Sequence, residues 1–214
     1  WFVNSEVRLL QTYYDQDLSQ LSVPNTLLDE SVSRSIPKVR MHGGINFERP
    51  MYFNTNFTQT FEPQIQYLYV PEVDQSNIGM YDTTQLQDDY YGLFRDTRYS
   101  GLDRIAAANQ ISWGLTTRVL DDSNSERARF SFGQINYLSS SDTPPTPNNI
   151  TQSSEESALA AEVFFYINRQ WQFSGDLQYD TKNGQANKSQ LNVDYHYSEN
   201  NMVQLNHRYT RNVS

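Results

Sequence analysis

The chain has 214 residues, of which 37% are apolar and 14% aromatic, including 15 Tyr, 11 Phe and 3 Trp. A mean hydropathy of −0.73 argues against a large dry core, while so many rings argue against disorder throughout. The lack of cysteine excludes disulfides, thiolate metal sites and a cysteine nucleophile, and a net charge of −9 without a long Lys/Arg cluster speaks against nucleic acid.

No apolar run reaches the roughly 18 residues of a transmembrane helix, which leaves strand-built membrane proteins open. The first residues lack the basic start and apolar stretch of a signal peptide and begin in mid-alternation, as expected of a portion of something longer. Residues 1–14, 37–47 and 56–70 fit strands with irregular alternation. In the third, Phe57, Phe61, Ile65, Tyr67 and Tyr69 oppose Thr58, Thr60, Glu62, Gln64 and Gln66. Pro63 removes a ladder hydrogen bond there, so a bulge, an edge-like position or a misassigned strand is expected at that point. Ile111, Trp113, Leu115, Thr117 and Val119 alternate with Gln110, Ser112, Gly114, Thr116 and Arg118. Over 127–138 the parity slips from Ala128, Phe130 and Phe132 to Ile135 and Tyr137, which a bulge near Gly133 would reconcile. Leu159, Ala161, Val163, Phe165 and Ile167 form an apolar line opposite Glu162 and Asn168. Trp171, Phe173, Leu177 and Tyr179 oppose Gln172, Ser174, Asp176 and Gln178; Leu191, Val193, Tyr195 and Tyr197 oppose Asn192, Asp194 and His196; Val203, Leu205, His207 and Tyr209 oppose Gln204, Asn206 and Arg208.

The connections follow an order. Those at 48–55, 121–126, 169–170 and 199–201 are brief, whereas 15–36, 71–107 and 139–157 are long, with 182–188 the short exception on the long side. Short turns at one end and long loops at the other predict an all-β fold: an antiparallel transmembrane β-barrel of outer-membrane type, present as a partial barrel of about nine strands. A soluble sandwich fits any single segment as well but gives no reason for that order. An odd strand count leaves edges that hydrocarbon would not tolerate, so residues 1–214 are expected to be part of one larger barrel domain. In that arrangement 71–107 is a long, partly folded extracellular loop and 139–157 a polar extracellular one.

Residues 88–109 interleave charge with rings and aliphatic groups, including Tyr90, Leu93, Tyr99, Leu102 and Ile105. Such a loop is expected to fold, with a helical turn over 102–107 capped by Ser100 and with Arg-to-Asp pairs holding it. Its scaffold would be Tyr91, Phe94, Arg95, Asp96, Arg98, Asp103 and Arg104, serving as a plug, lid or docking surface or simply as a structured external loop. The histidines His42, His196 and His207 show no metal-ligand spacing. His196, expected opposite Gln204 and beside Asp194, is the one interior candidate for a nucleophilic set, and a hydrated lumen residue is the more economical reading. The carboxylates Asp88 with Asp89 and Glu155 with Glu156 fall in loops, as does the proline-rich stretch 142–149. No catalytic residue, metal or cofactor is expected, and the protein is not expected to be an enzyme.

FTQTFEPQIQYLYVPEVDQSNIGMYDT (57–83) and LFRDTRYSGLDRIAAANQISWGLTTRVLDD (93–122), with LDESVSRSIP (28–37), FSFGQINYL (130–138) and VQLNHRY (203–209), strongly resemble the lipopolysaccharide-assembly proteins of the bacterial outer membrane. The resemblance covers nearly the whole chain. It implies a mid-barrel portion of a translocon that inserts lipopolysaccharide into the outer leaflet of a Gram-negative cell outer membrane. The partners it implies are a plug lipoprotein in the lumen, lipopolysaccharide, outer-membrane lipid, and periplasmic bridge proteins acting through an N-terminal domain absent from these residues. Gln64, Gln66, Arg118, Asp176, Gln178, Asp194 and His196 would line the lumen beside the plug; Ile111, Trp113, Leu115, Phe165, Trp171 and Leu205 would face lipid. The rival readings are a diffusion porin and a soluble all-β carbohydrate-binding domain, the latter with its rings gathered in one groove.

Overall fold

The computed structural model of the chain describes residues 1–20, 28–52, 54–86, 89–139, 157–199 and 201–211. They form one ten-stranded antiparallel sheet: β1 (Phe2–Asp15), β2 (Ser31–Gly44), β3 (Phe47–Pro50), β4 (Thr58–Val70), β5 (Ala108–Leu120), β6 (Glu126–Tyr137), β7 (Leu159–Tyr166), β8 (Trp171–Asp180), β9 (Gln185–Ser198) and β10 (Asn201–Thr210). Each long strand pairs with its sequence neighbours, in the order β1-β2-β4-β5-β6-β7-β8-β9-β10, with β3 on β4. Among the described residues β1 and β10 each keep an unpaired edge, so the sheet is an open arc, the partial barrel of outer-membrane type that the alternation predicts. Two 3-10 turns, Leu18–Gln20 and Tyr91–Phe94, are its helical content among those residues.

Four local features differ from the sequence expectation. The second strand begins at Ser31, not 37, and the residues after Gly44 continue it as β3. β2 and β3 meet β4 in a single register, Gly44 opposite Gln64 and Phe47 opposite Phe61, which sets Ile45 opposite Pro63. The Ile45 amide donates to the Pro63 carbonyl at 3.1 Å, but proline has no N–H to return, so the arm is broken there into two strands. No bulge occurs at Gly133: β5 and β6 pair without a break from Gln110↔Tyr137 to Val119↔Ala128, and the irregularity lies between Val119 and Leu120. Ile135 and Tyr137 therefore stay on the polar face, where the long loop covers them. The connection between β8 and β9 is the tight turn 181–184, closed by Gly184 at φ 66° and by Asn183 and Lys182 amides donating to Asp180. His196 lies opposite Met202, because the register shifts between Asn201 and Met202; Gln204 faces Asp194 instead.

Buried apolar residues occur where the loop 71–107 meets the wall. One cluster joins Ile36, Leu68, Val70 and Ala108; a second joins Tyr90, Leu93, Ile135 and Ala160. The expected polar loop 139–157, the stretch 142–149, Asp88 and the pair Glu155 and Glu156 lie outside the described residues, apart from Ser139 and Ser157.

Candidate functional site

Register fixes which side chains share a face. One face carries Arg8, Arg34, Lys38, Arg40, His42, Glu62, Gln64, Gln66, Thr116 and Arg118, continuing through Ser131, Glu162, Asp176, Asp194 and Arg208. The other carries Val7, Leu9, Met41, Ile65, Leu115, Phe130, Phe165, Trp171, Leu191 and Leu205. On interior strands Ile65 is 56% and Met41 51% exposed on this second face, whereas Gln66 and Ser112 on the first are fully buried, so beside the loop the apolar side of the sheet is the bare one.

The loop 71–107 folds onto the polar face. Its deepest part is the 3-10 turn Tyr91–Phe94, which brings Leu93, fully buried, onto Ile135 and Ala160. The wall admits it because two glycines, Gly114 and Gly133, lie opposite each other there. A Cβ on Gly114 would come within 2.8 Å of the Tyr90 hydroxyl and 2.9 Å of Phe94, and one on Gly133 within 3.0 Å of a Leu93 methyl. The Tyr90 hydroxyl accepts from Gln64 Nε2 at 3.0 Å and from Thr116 Oγ1 at 3.0 Å. Burial pushes that hydroxyl above the ordinary tyrosine range, so it stays protonated.

Cationic side chains of β1 and β2 grip the rest. Lys38 Nζ donates to the Asp96 carboxylate at 3.0 Å and to its carbonyl at 3.1 Å, and Arg8 reaches the same carboxylate at 3.3 Å. Burial pushes Asp96 up, but the hydrogen bond and charge of Lys38 and the charge of Arg8 outweigh it and hold the carboxyl below its ordinary value. Arg40 bonds Gln66 Oε1 at 2.7 Å and the Phe94 carbonyl at 3.4 Å, while the His42 ring stacks on Phe94 at 5.2 Å. Higher up, Arg34, 5% exposed, donates to Gln75 Oε1, to Tyr14 Oη and to the carbonyls of Leu102 and Asp103. Gln16 ties the loop after β1 to this one: its amide nitrogen donates to the Asp29 and Asn77 carbonyls, and its oxygen accepts from Gly79 N and Tyr81 Oη.

Of the expected loop scaffold, Phe94 and Asp96 touch the wall as described. Arg95 pairs with Asp89 at 3.1 Å, Tyr91 packs edge-on to Tyr90, and Arg98 is exposed. The expected Arg-to-Asp pairing is otherwise replaced by side chains satisfying backbone. Asp103 accepts from the Tyr81 and Asp82 amides at 2.7 Å each, which lowers its carboxyl despite burial, and Arg104 donates to the Ile78 carbonyl at 2.6 Å. No helical turn forms over 102–107: Gly101 at φ 69° turns the chain, and Asp103 and Arg104 are committed to segment 78–82. The turn is instead at Tyr91–Phe94.

Gln64 and Gln66 lie beneath the loop, whereas Arg118 bridges Glu62 and Glu126 at 3.1 and 2.8 Å beyond it. Asp176, Gln178, Asp194 and His196 are on the same face over β8 and β9; Asp194 accepts from Gln204 at 2.8 Å. Ile111, Trp113, Leu115, Phe165, Trp171 and Leu205 share the bare face. Sequence reasoning missed Arg34, Lys38, Arg40 and His42 as the grip on the loop. Their spacing of two, with Ile36 between, was the available signal.

A curved antiparallel sheet with an apolar bare face, a polar face and a long connection folded onto the polar side is the wall of an outer-membrane-type β-barrel. The chain belongs to the LPS transport system D family, whose model matches residues 1–214. It is 48% identical over 207 residues to the LPS-assembly protein LptD of Shewanella frigidimarina, covering 96% of this chain and 26% of that protein. It is 49% identical to the LptD of Pseudoalteromonas translucida, with 100% and 28% covered, and 45% identical to that of Yersinia pseudotuberculosis, with 97% and 27% covered. The chain thus spans little more than a quarter of the length of these relatives.

Proposed function

We propose that this chain is the mid-barrel wall of a protein that inserts lipopolysaccharide into the outer leaflet of the outer membrane of a Gram-negative bacterium. The observation that carries the reading is the opposition of the two faces, one bare and apolar, the other polar and partly covered by the chain's own loop. The polar face lines the lumen, with Asp176, Gln178, Asp194 and His196 beside a plug lipoprotein, and Ile111, Trp113, Leu115, Phe165, Trp171 and Leu205 meet lipid. Loops 71–107 and 139–157 are extracellular, and periplasmic bridge proteins act through a part of the protein outside these residues. The wall does no covalent chemistry. It gives sugars and phosphates hydrogen-bonding groups in place of water, so that they cross the level of the hydrocarbon without being stripped bare. The diffusion-porin and carbohydrate-binding readings gain nothing from the family match, and the rings are spread over separate strands, as with Tyr13, Tyr69, Phe130 and Trp171.

The test is single Arg substitution at Leu115, Phe165 and Leu205 in the full-length protein. Arginine on the lipid face of a barrel costs about 2–4 kcal/mol at mid-depth and about 0–1 near the interfaces, so Phe165, at the end of β7, should be the mildest of the three. Impaired assembly, read as lost heat-modifiable migration and lowered surface lipopolysaccharide, is the expected outcome; normal assembly of all three variants would refute the lipid-facing assignment. Photocrosslinkers at Tyr91, Arg98 and Gln178 test the plug contact. Capture from Gln178 alone would keep a lumen contact and remove the loop from it.

A further inference from the structure

We propose that Arg49 anchors a site for the phosphate of an anionic phospholipid, on the bare face at the short-turn end of the sheet. The inference rests on the reading above that this face meets lipid. Arg49 lies on β3 opposite Gln59, on the same face as Phe61 and Ile65. Its Nε and Nη2 both donate to Gln59 Oε1, at 3.2 and 2.8 Å. Gln59 Nε2 in turn donates to Thr117 Oγ1 at 3.2 Å, and that hydroxyl to the Thr60 carbonyl at 2.8 Å. The relay occupies Nε and Nη2 and leaves Nη1 without a hydrogen-bond partner among the described residues, so protein contacts alone orient the fork.

Among the described residues no carboxylate pairs with Arg49. The adjacent Glu48 lies opposite Thr60 and so has the parity of the polar face. Phe47 and Phe61, 54% and 49% exposed with ring centres 6.3 Å apart, form the neighbouring cross-strand pair on the same face. A groove of about 390 Å³ is lined by Phe47, Glu48, Arg49, Gln59, Thr60 and Phe61. An unpaired guanidinium is costly in hydrocarbon but favourable at the headgroup level, where its fork matches phosphate oxygens. Two rings beside it suit the first carbons of acyl chains. Position, order and surroundings together fit a headgroup phosphate with its lipid, and charge complementarity favours a lipid of net negative charge.

The test uses the full-length protein, with phosphatidylglycerol occupancy read by native mass spectrometry and a fluorophore on Phe61→Cys quenched by a lipid-phase nitroxide. Arg49→Gln is expected to lower occupancy about fivefold, the effect of one basic group near a lipid surface. Arg49→Lys should lose less, and Gln59→Ala, which keeps the charge but frees the fork, should fall between. Millimolar inorganic phosphate should not displace the lipid; displacement would mark a free-anion site and overturn the proposal. Wild-type occupancy in Arg49→Gln, with the Phe61 label quenched from the lipid phase, would sink the site alone. A label reached only from water would sink the lipid-facing reading and the site with it.

Discussion

Leu93→Ala tests whether the long loop is held to the wall by packing. Leu93 is fully buried between Tyr90, Ile135 and Ala160, with a methyl lying over Gly133. Leu-to-Ala truncation at such a position costs about 2–5 kcal/mol, as lost transfer energy plus the cavity left behind. The loop retains Lys38 on Asp96, Arg34 on 102–103 and the Tyr90 hydroxyl bonds, so it should stay seated on average. Its local opening should nevertheless rise by about 30-fold to about 4,000-fold. Hydrogen exchange on the full-length barrel reads this directly, because the amides of Leu93 and Arg95 bond to the Tyr90 and Gly92 carbonyls within the turn. Faster exchange over 89–99 with unchanged exchange over 110–118 of β5 is the expected result. Unchanged exchange over 89–99 would refute the packing argument; equal loss in both segments would show that loop and wall open as one unit.

Three further outcomes are expected. Gly114→Val should displace the turn, since its first carbon alone would lie 2.8 Å from the Tyr90 hydroxyl; a cost of about 1–3 kcal/mol should appear as faster tryptic cleavage after Arg95 and Arg98. Arg34→Lys should loosen the upper loop by about 1.5–3 kcal/mol, because one ammonium cannot reach Gln75, Tyr14, Leu102 and Asp103 together; exchange at 99–105 measures it. Asp96 is held below its ordinary value when folded, so its contribution is fully present above the unfolded carboxylate value of about 3.9 and is lost as pH falls through the lower, folded one. Proteolysis of the loop should therefore be flat from about pH 5 to 8 and accelerate in acid, and Asp96→Asn should flatten that acid limb.

Strands from β5 onward were legible because their outward residues are apolar and their inward ones polar, as with Trp113 and Leu115 against Ser112 and Thr116. The start of β2 was not. There the outward residues Ser33 and Ser35 are polar, and the inward Ile36 alternates with Arg34 and Lys38, because a loop distant in sequence covers them. The apparent slip at Ile135 has the same origin: an inward apolar residue looks misplaced until Leu93 is set on it. The composition of the long loop announced that it folds. Its turn was misplaced because Asp103 and Arg104 bond segment 78–82, a tertiary demand that local helix signals do not carry. The break at Pro63 was visible, but only the register revealed that the partner strand, and not β4, is the one that splits.

The loop touches β1 through Arg8 and Tyr14 and reaches β7 through Ala160, so it acts as a keystone set under an arch. Strands from β1 to β7 thus share one internal anchor across the polar face, and a change that unseats the loop would release all of them at once.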